Sequence, residues 1–494
     1  MIILGLEAST TSAKAVVFDT ADQEVTVRAR RFVLESGDSS VRDAESIFAQ
    51  LVALGRETVS EAQASDRQVG MVVLCGTWHG LTLRDGELRE VTPVQEWPYT
   101  GAQDLCARLR QDQDLTRWFY ERTGCMVNAA YPAFKLKLLR EQGTDISDSW
   151  VLDQNSYNFA RLTSQMWTSR SQASGTGLLS TLTGEWDEEV ISRLGLGRLR
   201  LPELHDSTDT APVTSGAAAL LGVPAGIPVL VPGPDGGMNQ VGNAAADPGQ
   251  MTFSMGTSGA LRFAVSQPSL SPRMSTWSYR SPVGWLSGAA TSGCTNCVDW
   301  AKERFFGADV SFDQLEAQLD PSARDLPTFM PFLFGERSPG WQDQRRGGFL
   351  ELHPDHSRLD MYQSVLHGVT FSLYHCYQEL TALNGRPHQI LLSGGVLSSP
   401  FWTQLTADIF GEELQVTALQ HSSVVGAVRM GLRAAGIDDD QPAFDDTPRR
   451  IVTPSLTRHH QYAEQFQHYL ELYARTNPER QVELPASEQG GLSS

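Results

Sequence analysis

Positive charge is scarce: 39 Lys and Arg stand against 58 Asp and Glu, a formal net charge of −19. Clustered cations hold a phosphate backbone, so this balance excludes nucleic acid as a partner. It leaves room for a nucleotide, which backbone N–H groups and a metal ion hold locally. Cysteine is scarce as well. Six in 494 residues, scattered, read as free thiols of a reducing cytoplasm. Cys294 and Cys297 form a C-x-x-C with no second pair or nearby His, which reads as small buried side chains ahead of a metal site. Long apolar runs are missing. Met1 to Leu6 gives way to Glu7, shorter than a signal h-region, and nothing approaches the roughly 18 apolar residues of a membrane span. The expected setting is cytoplasmic, away from any membrane. No G-x-x-x-x-G-K-[ST] occurs at a turn, so any phosphate site here is not a Walker A loop.

What is present is ordinary for a globular chain, with 40% hydrophobic and 20% charged residues. A chain of 494 residues exceeds what one core organises, so two domains are expected. An internal repeat supports this. Residues 2–19 read as strand, small-residue turn, strand, and residues 251–265 repeat that grammar. Setting Thr10 on Thr257 lays Ser9, Thr10, Thr11 and Ser12 over Gly256, Thr257, Ser258 and Gly259, about half the chain away. Unrelated hairpins would be the alternative, and the half-length spacing favours duplication. The pattern predicts a helix over 43–63, strands over 69–74 and 229–231, a long helix over 359–383, a strand over 389–392 and a helix over 400–410. The turn signal Asp247-Pro248-Gly249 places a boundary between domains 1–246 and 247–476, with a polar tail over 477–494.

Turns of Gly, Ser and Thr leave successive N–H groups free to form anion nests, to which Thr10, Ser12, Thr257 and Ser258 add hydroxyls. A phosphate-binding turn, duplicated and without Walker A, is the grammar of the actin/hexokinase ATPase architecture. The expected fold class is α/β, with two duplicated ribonuclease H-like domains and an interdomain cleft.

Several ordered motifs then carry a resemblance to the FGGY family of carbohydrate kinases, from Met1 to about Gly436. The first hairpin resembles G-x-D-x-G-T-x-S-x-K through Thr10, Ser12 and Lys14, with Glu7 and Ser9 departing from it. Ser254 to Gly259 resembles the second phosphate motif. Gly335-Glu336-Arg337-Ser338-Pro339, with Trp341, Arg346 and Gly347, resembles G-E-R-x-P-x-W…R-G. Leu392 to Gly395, followed by Ser399, Trp402 and Asp408, resembles the adenosine segment. Pro232 to Gly237 resembles G-G-x-D.

The resemblance implies ATP as phosphoryl donor and Mg²⁺ as its counter-ion. It implies Asp235 as the base that accepts the proton of the attacking sugar hydroxyl. Phosphate and nucleotide contacts fall to Thr10, Thr11, Ser12, Lys14, Gly256, Thr257, Ser258, Gly394, Gly395 and Ser399. The metal would lie near Glu7 and Asp235, through water given the longer Glu7. Gly76-Thr77-Trp78-His79-Gly80 resembles a sugar motif, so Trp78 and His79 join Asp235 as expected sugar contacts. Trp97 resembles the Trp of W-x-D-x-R, although Tyr99 and Gly101 replace its Asp and Arg. Asn128 and Lys135 belong to a segment near the same pocket. Xylulose leads narrowly over gluconate as the expected sugar, the lost Arg at Gly101 telling against an acid. A catalytically impaired sugar-binding or regulatory protein on the same fold is the alternative of another class, and an actin-like ATPase the weakest. The partners expected are a sugar and ATP; oligomeric state is left open, with a homodimer carried forward.

Overall fold

The computed structural model describes residues 1–34, 37–62, 68–416, 419, 421–445 and 450–477. The expected polar tail therefore lies outside the described residues, apart from Asn477.

Ile2–Ala8 (β1) is buried along its whole length, as a strand covered on both faces must be. With Ser12–Asp19 (β2), Val25–Arg31 (β3), Val69–Gly76 (β4), Thr210–Pro212 (β5), Pro228–Leu230 (β6) and Gly233–Pro234 (β7) it forms a seven-stranded sheet. The order is β5-β6-β4-β1-β2-β3, with β7 also on β4. The second sheet holds Gln250–Met255 (β8), Gly259–Val265 (β9), Trp277–Arg280 (β10), Trp285–Thr291 (β11), Gln389–Ser393 (β12), Leu414–Val416 (β13) and Arg450–Val452 (β14), in the order β14-β13-β12-β8-β9-β11-β10. Sense matches order. The first strand of each sheet pairs antiparallel with its hairpin mate and parallel with a later strand, β4 or β12. That later strand takes a second parallel neighbour, which takes an antiparallel edge. The duplication is thus visible in topology.

One detail of the repeat needs correcting. The first hairpin closes at Ala8 and Ala13, the second at Met255 and Gly259. Ser9 N–H reaches Ser12 O at 3.0 Å, but Gly256 N–H reaches Ser258 O at 3.1 Å. The second turn is one residue shorter, so Gly259 matches Ala13 and not Ser12.

The expected helices stand at Ala44–Ala62 (α1), Arg358–Asn384 and Pro400–Phe410. Gln63 falls outside the described residues. Asp235–Gly242 (α2) and Ser422–Ala434 (α3) cross where the two halves meet. A Cβ on Gly242 would strike Ser422 O, and one on Gly426 would strike Met238 O, so each glycine lets the other backbone approach. Helix α3, although near the C-terminus, packs Val424, Val428 and Leu432 into one core with Ile3, Val16 and Val73 of the first sheet. A further core joins Trp78, Tyr131 and Phe134 to Trp277, Tyr279 and Trp341. Two cores therefore draw on both sides of residue 246. All six cysteines are buried free thiols, Cys294 and Cys297 inside the second sheet's core. No helix among the described residues is long and apolar enough to cross a membrane.

Candidate functional site

Strand β7 pairs parallel with Cys75 and Gly76 and delivers Asp235 to the first turn of α2. Its carboxylate accepts the Gly236 N–H at 2.6 Å. Burial pushes its pKa up to about 6; Arg262 opposes the rise and Glu7 adds to it. That is the range in which a general base works near neutrality.

Around Asp235 the two hairpins converge. Glu7 on β1 holds Lys14 of β2 at 3.0 Å and receives the Ser423 hydroxyl of α3 at 2.8 Å. Burial alone would lower the Lys14 pKa, yet the Glu7 carboxylate overrides it and leaves it raised. Arg262, on β9, lies against Gly236, where a Cβ would meet its Nε at 2.8 Å. One guanidinium nitrogen reaches Ser254 Oγ at 3.2 Å. Arg337 lies over the Trp97 ring at 5.9 Å and depresses His79 electrostatically. Neither arginine forms an ion pair among the described residues, and the Nε of each is buried without a hydrogen-bond partner.

In the first turn Ser9 stands where the family motif has Gly. Its hydroxyl spans the turn to Ser12 O at 2.7 Å and Ser12 Oγ at 2.9 Å, and its φ is not left-handed, so a side chain costs nothing there. Thr10 Oγ1 accepts the Trp97 indole N–H at 3.0 Å, and Thr11 is exposed at the tip. In the second turn Gly256 O and Thr257 O accept the first N–H groups of the helix Thr295–Phe306, at 2.9 and 3.5 Å. Gly394 has φ +103 and abuts Met255 O, a place only glycine fits. This seats Gly394 and Gly395 beside Gly256. Next to them a cavity of about 200 Å³ is lined by Thr295, Phe312, Glu316, Tyr362, Gly395, Ser399 and Trp402. The Ser399 hydroxyl is spent on helix capping, accepting Trp402 N–H at 3.0 Å and donating to Glu316 at 2.6 Å.

The expected sugar residues separate into walls and faces. Trp78 is only 5% exposed, donates its indole N–H to Ser171 O at 2.9 Å and packs on Tyr279, so it is a wall. His79 gives Nδ1 to Gly175 O at 2.6 Å, and burial, with Arg337 next, drives its pKa down to about 3, so the ring is neutral. Trp97 keeps a partly open ring. Tyr99 folds back onto Gly101, its hydroxyl filling the space a Cβ there would need, so the two departures from W-x-D-x-R are one feature. Lys135 is fully buried, donating to His79 O, Gln95 O and Glu96 O at 2.8, 3.0 and 2.8 Å. It holds backbone and faces no open pocket. Asn128 bonds Asp343 at 2.5 Å. Glu336 is buried against Arg345 at 2.8 Å, while Arg346, the arginine expected from the motif, is exposed. Sequence reading missed Arg345, Arg42 and Glu96, which carry no motif. It gave no role to Arg262 or Ser423, although an arginine following a Gly/Ser/Thr turn was a signal.

Residues 2–242 match the N-terminal domain of the FGGY family of carbohydrate kinases, and residues 251–435 match its C-terminal domain. The chain belongs to that family. It is a carbohydrate kinase, and its family uses ATP. This FGGY kinase is 25% identical over 462 residues to a gluconokinase of Bacillus subtilis, covering 90% of each chain. It is 28% identical over 380 residues to a xylulose kinase of Escherichia coli, covering 76% of this chain and 78% of that one. Among solved structures, a gluconate kinase from Lactobacillus acidophilus superimposes with a TM-score of 0.89 at 24% identity, covering 97% of this chain and 98% of that one. A ligand-bound xylulose kinase from the same organism gives 0.88 at 24%, covering 96% and 98%. At these identities the superpositions speak for the fold.

Proposed function

We propose that this kinase transfers the γ-phosphoryl group of ATP to a hydroxyl of an acidic small sugar, with gluconate the best reading and Asp235 the base. One observation carries the acid: Arg262 lies against the Asp235–Gly236 turn, near Arg337, and neither has a carboxylate partner among the described residues. Burial lowers the Arg262 pKa, Asp235 raises it, and Arg337 lowers it again. A substrate carboxylate between the two guanidinium groups would relieve that repulsion, and arginine's fork suits a carboxylate. These cations supply what Gly101 does not. The gluconokinase relative supports the reading; the xylulose kinases support the second one, in which Trp97 offers its open face to a neutral sugar.

In this scheme the acceptor hydroxyl lies on Asp235, which takes its proton as the new O–P bond forms and the bond to ADP breaks. The N–H groups of Thr10, Thr11, Thr257 and Ser258, which have no hydrogen bond among the described residues, hold the charge on the phosphoryl oxygens, with Lys14 behind them. The adenosine would occupy the cavity beside Gly394, Gly395 and Ser399. Glu7 and Asp235 are hard oxygen donors near one another, and both Glu7 oxygens already have protein partners, so they suit Mg²⁺ held through its waters. Bound there with ATP, Mg²⁺ neutralises triphosphate charge. The test is ADP release with ATP-Mg²⁺ against gluconate, xylulose, pentitols and glycerol. The highest kcat/KM should fall on gluconate. A xylulose maximum would overturn the acid reading, and no turnover of any acceptor would favour an impaired sugar-binding protein.

A further inference from the structure

A buried ion pair outside the residues so far given roles connects the first phosphate turn to the sugar-facing segments. Arg42 and Glu96 are 2% and 0% exposed and pair directly. They are brought together where Val41–Arg42 pairs antiparallel with Val94–Gln95 and Glu96 N–H reaches Ser40 O at 2.8 Å. A charge pair this deep has paid desolvation on both sides and stands or falls on further hydrogen bonds. It has them. The other Arg42 terminal nitrogen donates to Ser9 O at 2.7 Å and Thr10 O at 3.0 Å. The other Glu96 oxygen accepts the Thr77 hydroxyl at 2.7 Å, and Glu96 O accepts Lys135, which also holds His79 O. Trp97, the next residue, donates to Thr10 Oγ1.

The peptide group explains what this does. In a planar trans peptide the N–H points opposite to the C=O. With Ser9 O and Thr10 O drawn to Arg42, the N–H groups of Thr10 and Thr11 are turned the other way, and neither has a hydrogen bond among the described residues. Two adjacent outward N–H groups are an anion nest.

We infer that Arg42 and Glu96 are positioning residues that set the first turn for the terminal phosphate and hold it in register with the Thr77–His79 wall and the Trp97 face of the acceptor pocket. The inference rests on the reading that this turn receives that phosphate. Lysine at 42 keeps the charge but has no fork to serve two carbonyls and a carboxylate together, and glutamine at 96 keeps the shape without the charge.

The full-length protein is titrated calorimetrically with a non-hydrolysable ATP analogue plus Mg²⁺, and separately with ADP plus Mg²⁺. Arg42→Lys and Glu96→Gln should each weaken the analogue about tenfold and ADP less than about twofold, since only the analogue carries the terminal group. General loosening of the fold would weaken both alike, and that result, or no change in either, overturns the inference. Glu96→Gln, the closer isostere, serves where Arg42→Lys fails to fold. Thr11→Pro, which deletes one turn N–H and leaves Arg42 intact, separates the two levels. If Thr11→Pro weakens the analogue and the pair variants do not, the reading of the turn stands and this inference fails. If Thr11→Pro has no effect, the reading of the turn fails and the inference with it.

Discussion

Ser423 donates its hydroxyl to Glu7 at 2.8 Å, joining residues 416 apart along the chain. The other Glu7 oxygen takes the Lys14 ammonium at 3.0 Å. Held by both halves, Glu7 can reach a metal through that metal's water shell. Glu7→Gln should raise the Mg²⁺ concentration needed for half-maximal rate and lower kcat. Glu7→Asp, one methylene shorter, should stay active. Mg²⁺ titrations unchanged in both variants would make Glu7 a structural residue.

Asp235→Asn should lower kcat by about 10²–10⁴-fold and leave binding of an ATP analogue within about twofold. It should also stabilise the protein. The carboxyl titrates near 6 in the fold against 3.8 in the unfolded chain, so the folded state binds more protons between those values. Stability therefore falls as pH rises through that window, and the full penalty stands above it. The thermal midpoint of Asp235→Asn should exceed wild type by about 1–3 °C at pH 8 and match it at pH 4. A variant less stable at pH 8 would contradict the raised pKa.

The rate profile should show the same group. In wild type, kcat/KM for the acceptor should fall on the acid side with an apparent pKa of about 6. Arg262 opposes the rise in the Asp235 pKa, so Arg262→Leu should move the acid limb to higher pH. It should also raise the KM for gluconate by about 10–100-fold and that for a neutral sugar far less. Equal losses on both substrates would remove Arg262 from acid recognition.

Domain closure is expected from where the parts sit. Asp235, His79 and Trp97 belong to the first half of the chain, and Gly256, Thr257 and Gly394 to the second. In-line transfer needs reacting atoms about 3–3.5 Å apart, with water excluded. An acceptor together with a non-hydrolysable ATP analogue should shrink the solution radius of gyration, and the analogue alone should shrink it less. Superimposable scattering curves would mean a preformed cleft.

The crossing of α2 and α3 leaves no room for a side chain. Gly426→Val would drive a Cβ into Met238 O, a backbone atom that cannot rotate away. A loss of about 1–3 kcal/mol or more is expected, read as a lower thermal midpoint in both domains' unfolding signals. Retention of wild-type stability would show that the helices can separate without cost.

Elements were legible where a single local signal fixed them. The helix Pro400–Phe410 stood where its periodicity put it, because Pro at its first turn and Gly411 after it mark both ends. The hairpins were legible through their small turn residues, but the length of the second turn was not. A one-residue difference is set by which carbonyl closes the ladder, and the composition of the two turns is nearly the same. Trp78 was legible as part of a pocket motif, yet not as a wall, since only its neighbours Gly175, Gly236 and Tyr279 show that its ring is enclosed.

By itself the sequence determined the duplication, the α/β class, the two small-residue turns and the carboxylate at Asp235, because each is written in residues adjacent along the chain. Tertiary structure alone decided the partners. Arg262 against Gly236, Ser423 on Glu7 and Arg42 between Glu96 and the first turn join residues distant in sequence. Charge and hydrogen bonding act through space and fall off within a few ångströms, so only the folded chain determines which groups they join.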